Sequence, residues 1–111
     1  MKNSDVSVSV KIAACICGRD GLISQAEEQK MFQLISNKFP EFSLDYFDTA
    51  INEFFDSDDQ IEDYLSKVND QEMRQFILGL AEASASVDGL DIRENIALQK
   101  AYQIWGETRY E

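Results

Sequence analysis

Two acidic turns, one near each end of the chain, carry the residues best suited to chemistry. In each turn an Asp-Gly pair follows a segment of small apolar residues, and a Glu comes six or seven residues after the Asp. A unit of helix, tight turn and helix therefore occurs twice. If the two units pack face to face their carboxylates meet, and such oxygen ligands suit Ca²⁺ or Mg²⁺. The predicted ligands of this divalent cation are Asp20, Glu27, Asp88, Asp91 and Glu94.

A purely structural role explains the same residues. Ser24 followed three residues later by Glu27 is a capping box that starts a helix, and Asp91 with Glu94 forms a second such pair. The glycine of each turn supplies a backbone angle that other residues resist. The pattern is not a full EF-hand loop, because the first ligand position would fall on Ile16. Both the capping and the cation-binding interpretation stay open at this point.

The acidic segment 41–63 is the second candidate for function. It contains nine acidic residues and no Lys or Arg, together with more aromatic residues than one helix face can bury. Aromatic side chains exposed among charges are typical of interfaces, so the segment predicts a docking surface for a partner protein with a basic surface. The alternative is an ordinary solvated acidic face. The residues predicted to bind the partner are Phe42, Tyr46, Phe55, Asp58, Asp59 and Glu62.

The composition limits the classes of function. The chain has 111 residues, 21 acidic and 10 basic, and its net charge of −11 disfavours nucleic-acid binding. Without histidine or a phosphate-binding glycine loop, we expect no enzyme activity. The longest apolar run, 12–17, is too short to insert into a membrane, and no signal peptide is visible. On a helix, Cys15 and Cys17 point to different faces and cannot bridge each other, which fits a reducing cytoplasm.

Helix signals cover most of the chain. The alternating valines of segment 6–10 are compatible with a strand, but the chain offers no second strand to pair with, so we expect a helix there. Pro40 should end the second helix. The predicted helix-capping residues are Ser24, Ser43, Asn69 or Asp70, and Asp91. The apolar residues expected in the last two long helices are Met73, Phe76, Ile77, Leu80, Ala81 and Val87, then Ile96, Leu98, Ala101, Ile104 and Trp105. The predicted fold is an all-α, single-domain bundle of about six helices over residues 1–111.

These features resemble the TerB-like family, the type found in tellurite-resistance TerB proteins and in DjlA N-terminal domains. The likeness lies in the small-residue helix, the turn Asp20-Gly21-Leu22-Ile23-Ser24-x-x-Glu27, its second copy at Asp88-Gly89, and a closing helix that ends in Trp105-Gly106. It covers residues 8–106. The chain departs from the family pattern in two places: its second turn is one residue shorter, and Cys-Gly-Arg precedes Asp20.

The resemblance implies an all-α bundle with a divalent-metal site at Asp20, Glu27, Asp88 and Glu94. It also implies a non-catalytic role in bacterial stress response, linked to tellurite resistance or to defence against phage and colicin. Arg19 provides an alternative to the metal, since a guanidinium beside the turn can pair with the same carboxylates.

Overall fold

The part of the chain that the structure describes folds into six α-helices and one short 3₁₀ turn. The computed structural model describes residues 3–18, 23–89 and 92–107, without the side chains of Asn3, Ser4 and Asp88. The helices are α1 (Asn3–Cys17), α2 (Gln25–Lys38), α3 (Leu44–Asp56), α4 (Ile61–Leu65), α5 (Gln71–Ala85) and α6 (Ile92–Trp105), with the 3₁₀ turn at Ser86–Asp88. The described residues contain no strand, and their dimensions are 32 × 28 × 27 Å. The predicted all-α bundle of about six helices is confirmed.

Helix α1 is the centre of the bundle. It packs against all five other helices, and a helix surrounded in this way must be apolar on nearly every side. Val6, Val10 and Ile16 are buried, and so is Ser9, whose hydroxyl donates to the backbone carbonyl of Asp5 at 3.0 Å. That hydrogen bond satisfies the buried hydroxyl of Ser9. The alternation of valine and serine therefore reflects an enclosed helix, as expected from the absence of a partner strand.

The predicted caps start the helices as expected. The Ser43 hydroxyl accepts from the Tyr46 amide at 3.3 Å, and the Asp70 carboxylate accepts from the Met73 amide at 3.0 Å. Each bond satisfies one of the free amides at a helix N-terminus. Helix α2 ends at Lys38, two residues before Pro40, as predicted. These local signals fix where the elements lie along the chain.

The turn between α5 and α6 departs from the predicted pattern at Val87. The α-helix ends at Ala85, and the chain continues as a 3₁₀ turn to Gly89, whose φ of 89° favours glycine. A 3₁₀ turn rotates the chain by a larger angle per residue than an α-helix does. Val87 therefore leaves the apolar stripe of α5 and is 42% exposed, so its predicted place on that stripe is wrong.

Helix α4 packs against α1 and α6. The Trp105 indole nitrogen donates to the Leu65 carbonyl at 3.1 Å, and the Arg74 guanidinium lies 5.5 Å from the centre of the indole ring. Arg74 also donates through Nε to the Val68 carbonyl at 2.9 Å. A helix of five residues is not stable by itself, so these contacts keep it in place. None of the described helices has the length and apolar character needed to cross a membrane.

Candidate functional site

Glu27 is a buried carboxylate at the start of α2. One of its oxygens, Oε1, accepts from the Ser24 amide at 2.9 Å, and the Glu27 amide donates to the Ser24 hydroxyl at 3.1 Å. This is the predicted capping box, and it is confirmed. The side chain is only 5% exposed, so the carboxylate combines a capping role with an interior position. The amides and the dipole at the helix N-terminus favour its negative charge.

Glu94 occupies the corresponding position near the start of α6. It lies in the first turn of that helix and is 7% exposed. Two buried glutamates therefore follow the two acidic turns, one from each half of the chain. The other three predicted ligands lie outside what the structure describes: Asp20 and Asp91 are not among the described residues, and of Asp88 only the backbone is.

Cys17, in the last turn of α1, is influenced by both buried glutamates. Burial raises the pKa of its thiol well above the ordinary value, and the negative charge of Glu27, followed by that of Glu94, raises the pKa further. Both carboxylates therefore act on a single thiol in the last turn of α1. Helix α2 also packs against the 3₁₀ turn that leads to the second acidic turn. The two halves of the predicted repeat meet at this end of the bundle.

The groups near Cys17 that could bind a metal ion are carboxylate oxygens. A thiol with a raised pKa stays protonated, which makes Cys17 unsuited as a nucleophile or as a thiolate ligand. Cys15 and Cys17 are both buried and form no disulfide with each other. Among the described residues, no three His, Cys, Asp or Glu side chains form a group able to hold a metal ion. Glu27 and Glu94 alone would supply two ligands, and the remaining oxygens would have to come from the turn residues.

Ser84 adds a second polar group close to the second turn in sequence. It lies in the last turn of α5 and is completely buried, and its hydroxyl has no hydrogen-bond partner within the described part of the chain. Buried hydroxyls in folded proteins are almost always paired with protein or with ordered water. The interior at this end of α5 is therefore more polar than a simple helix-packing core requires.

The acidic segment 41–63 forms an exposed surface on α3 and α4. Tyr46 and Phe55 are 50% and 51% exposed, and Asp58, Asp59 and Glu62 are also exposed. Leu44, which the sequence reasoning did not select, is exposed to a similar extent. Large apolar side chains thus alternate with carboxylates on this surface, as the docking prediction requires.

The prediction of an exposed Phe42 is wrong. Phe42 is 2% exposed, and its ring stacks on Tyr46 with the ring centres 5.7 Å apart. It precedes the capping residue Ser43, and Phe47 lies in the first turns of the helix. An apolar pair at these two positions is the hydrophobic-staple pattern, which predicts burial of both rings. The angular position of a residue around the helix does not predict the burial of Phe42, because Phe42 lies before the helix begins.

An open groove lies beside this surface, between α1 and α3. Its volume is about 350 Å³, and Val8, Phe42 and Ala50 supply apolar walls. Lys11 crosses one edge and pairs with Glu53 at 3.0 Å. The groove makes the exposed edge of Tyr46 part of a concave surface rather than an isolated side chain.

The outer face of α6 was missed by the sequence reasoning. Leu98, Ala101 and Trp105 are buried, whereas Ile96 and Ile104 are 60% and 47% exposed. A helical projection could have shown this, because Ile96 lies on the side opposite Leu98 and Trp105. The outer side of the helix therefore mixes isoleucines with exposed polar residues, among them Asn95, Gln99 and Gln103.

Comparison with known proteins gave no match: no protein-family model, no curated protein and no solved structure is similar to this chain. The TerB-like resemblance therefore stays a prediction carried by its motifs.

Proposed function

We propose that the chain is a non-catalytic binding protein of the TerB-like type, acting in the bacterial cytoplasm in stress response. It holds a divalent cation, Ca²⁺ or Mg²⁺, between its two acidic turns and acts through protein partners. Glu27 and Glu94 are the inner ligands in this proposal, and Asp20, Asp88 and Asp91 complete the shell. The proposal excludes nucleic acid as a partner because of the net charge of −11.

The observation that carries the cation proposal is the burial of two carboxylates from opposite halves of the chain, Glu27 and Glu94, each of which contributes to the raised pKa of Cys17. A buried carboxylate is costly unless hydrogen bonds or a cation compensate its charge. A divalent cation compensates both charges at once and suits carboxylate oxygens. Arg19 is the competing source of positive charge, and it lies outside the described residues.

A calcium titration followed by amide NMR, repeated with magnesium, tests the proposal. Saturable shifts at Glu27, Glu94 and Cys17 are expected in the wild type and are lost in Asp20→Asn/Asp88→Asn. The matched control is Glu62→Gln, which removes an exposed carboxylate and should leave the saturable shifts intact. At an ion concentration of 100 times the dissociation constant, the free energy of unfolding should rise by about 2.7 kcal/mol. Weak, non-saturating shifts spread over segment 41–63 would contradict a specific site.

A metal-free interaction module is the second candidate function. It is supported by the half-exposed Leu44, Tyr46 and Phe55 on a segment with nine acidic residues and no basic one. Such a surface fits a basic partner protein with apolar anchors. The carboxylates would speed association, and the apolar side chains would supply most of the binding free energy.

Partner capture on immobilised protein separates the two candidates. Under the second one, Tyr46→Ala and Phe55→Ala should weaken capture, whereas Asp20→Asn/Asp88→Asn should leave it unchanged. Capture should also weaken at high salt, since exposed charges are screened. If neither pair of variants changes capture or the ion response, both functions are wrong.

A further inference from the structure

The groove between α1 and α3 is a concave part of the acidic surface. Its apolar walls, Val8, Phe42 and Ala50, are extended by the Tyr46 ring, which is 50% exposed and stacks on Phe42. Its volume of about 350 Å³ is at the small end of the range of ligand pockets, about 300 to 1,000 Å³. A docked helix needs an apolar strip several turns long, so this groove is better suited to one apolar side chain of an extended segment.

Helix α3 has two exposed sides, and one of them faces the groove. Tyr46, Thr49 and Glu53 line the groove at spacings of three and four residues, so they share one side of the helix. Phe55 is nine residues from Tyr46, about two and a half turns, and therefore lies on the opposite side, where Leu44 is also exposed. The groove includes Tyr46 and leaves Leu44 and Phe55 outside.

The outer rim of the groove is acidic. Asp45 and Asp56 are exposed, about three turns apart, on the side of α3 next to the lining residues. Segment 41–63 contains no basic residue, and neither carboxylate forms an ion pair within the described part of the chain. Among the described residues that line the groove, Lys11 is the one cation, and Glu53 pairs with it. The rim therefore keeps a negative charge that attracts a cationic segment.

Lys11 shows which kind of side chain the groove accepts. It lies at an edge of an open groove, yet its side chain is only 18% exposed, so its alkyl stem is largely covered while its ammonium reaches Glu53 at 3.0 Å. A basic partner can repeat this pattern of an apolar stem against the walls and a cation at the rim. The Glu53 side chain is 57% exposed, so the ion pair is partly solvated and can be exchanged at a small cost.

We infer that the groove binds an extended basic segment of a partner protein, which inserts one apolar side chain beside Tyr46. Lysine or arginine side chains on both sides of this anchor contact Asp45 and Asp56. These carboxylates are about 16 Å apart along α3, a distance that about five extended residues span. The inference rests on the proposed use of segment 41–63 as a docking surface, and it names the part of that surface that binds and the chemistry of its partner. Phe55 stays free to contact other parts of the same partner.

An amide NMR titration of the labelled protein with the capped peptide Lys-Lys-Leu-Lys-Lys tests the inference. Saturable shifts are expected at Val8, Tyr46, Thr49 and Ala50. The control probe is the same peptide with serine in place of leucine, which keeps the charge and lacks the apolar anchor. Its dissociation constant should be at least about tenfold higher.

A matched pair of aromatic variants locates the binding side of α3. Tyr46 and Phe55 are exposed to the same extent on opposite sides of the helix. Tyr46→Ala should raise the dissociation constant of the leucine peptide about tenfold, whereas Phe55→Ala should change it by less than about twofold.

A matched pair of charge variants locates the cationic contacts. Asp45→Asn/Asp56→Asn should raise the dissociation constant about threefold to tenfold at low salt, and the effect should shrink at high salt. Asp58→Asn/Asp59→Asn removes the same number of exposed charges from the segment before α4. It should raise the dissociation constant less, because these carboxylates attract the peptide only from a distance.

A variant that should gain affinity tests the groove independently of stability. Lys11→Met keeps a long apolar side chain and removes the charge, so Glu53 becomes available to a lysine of the peptide. Binding should tighten about threefold, and a loss of folding cannot produce such a gain. Thr49→Arg is the opposite variant, since it places a large cation on the groove wall, and it should weaken binding at least about tenfold.

Several results would overturn the inference. Saturable shifts at Leu44 and Phe55 in place of the groove residues would do so and would leave the docking function standing. Equal dissociation constants for the two peptides would show attraction by charge without an anchor. The groove is also excluded if neither peptide gives saturable shifts, and the docking function falls with it only if partner capture is insensitive to Tyr46→Ala and Phe55→Ala. Groove shifts that grow with protein concentration in the absence of peptide would identify a second copy of the chain as the occupant.

Discussion

Carboxylates occur in two contrasting settings in this protein. Glu27 and Glu94 are 5% and 7% exposed and act on one buried thiol, whereas Asp58, Asp59 and Glu62 are exposed on the outer surface of α4 and the segment before it. An exposed carboxylate is solvated and acts mainly at a distance, through attraction of a charged partner. A buried carboxylate must be compensated by hydrogen bonds or by a cation. The same residue type therefore points to a ligand site inside the bundle and to a docking surface outside it.

The largest expected effect comes from the thiol between the buried carboxylates. In the folded protein Cys17 keeps its proton because its pKa is raised, whereas in the unfolded chain a thiol ionises near pH 8.5. Above that pH the unfolded state holds fewer protons, so the free energy of unfolding falls by up to about 1.4 kcal/mol per pH unit. Between pH 8.5 and 10, the free energy of unfolding of the wild type should fall by about 2 kcal/mol more than that of Cys17→Ala, as measured by urea denaturation.

Cys15→Ala is the control for this pH dependence, since it leaves Cys17 in place and should keep the steep loss. Parallel pH curves for the wild type and Cys17→Ala would show that folding does not raise the pKa of the Cys17 thiol.

The next effect compares a buried carboxylate with an exposed one. Glu27→Ala removes the acceptor of the Ser24 amide and opens the capping box, which should cost about 1 to 2 kcal/mol of stability. Glu62→Ala removes an exposed partner of Lys100 and should cost about 0.5 kcal/mol or less. Thermal and urea unfolding without added cation measure both. A Glu27→Ala variant as stable as the wild type would mean that the capping gain is cancelled by the cost of the buried charge.

The turn that leads to Glu94 gives an effect of about 1 kcal/mol. Gly89 has a φ of 89°, so Gly89→Ala should destabilise the fold by about 1 to 2 kcal/mol through backbone strain. Gly79 lies exposed within α5 with open space around it, and Gly79→Ala should stabilise the fold by about 0.5 to 1 kcal/mol. Equal effects of the two substitutions in chemical denaturation would contradict a special role for the turn backbone.

The smallest expected effect concerns an exposed carboxylate, that of Asp48. Asp48→Asn removes the charge that helps to raise the pKa of Glu28. It should stabilise the monomer by about 0.3 kcal/mol at neutral pH, since like-charged neighbours cost that much at a surface. The gain should vanish as the pH falls and Glu28 becomes protonated. A gain that persists at pH 3 would mean that a cause other than charge is responsible.

Much of the fold follows from local signals in the sequence. Ser24, Ser43 and Asp70 start their helices as predicted, and α2 ends just before Pro40. Capping and proline effects act within a few residues, so neighbouring residues are enough to predict them. The helical form of the valine-rich segment 6–10 also follows, because the chain offers no second strand for it to pair with.

Local signals in the sequence could not predict whether residues at the ends or on the outer sides of helices are buried or exposed. Phe42 lies before its helix, Val87 follows a change from α to 3₁₀ geometry, and Ile96 is an apolar residue on the exposed side of α6. In each case burial depends on how the chain turns or on which other element packs against the residue, and hydrophobic periodicity predicts neither. For the candidate site, the two glutamates were predicted, and their common action on Cys17 is a tertiary relation that only the fold shows.

The hydrogen bond from Trp105 to the Leu65 carbonyl gives the molecule a built-in optical reporter. Trp105 is the sole tryptophan of the chain, and it joins elements forty residues apart in sequence. Such a contact forms only after a long loop closes, which makes it a late event when local helices form first. Fluorescence from this indole therefore reports the docking of α4 onto α6 with no added label, and it separates helix formation from assembly of the bundle in a single refolding experiment.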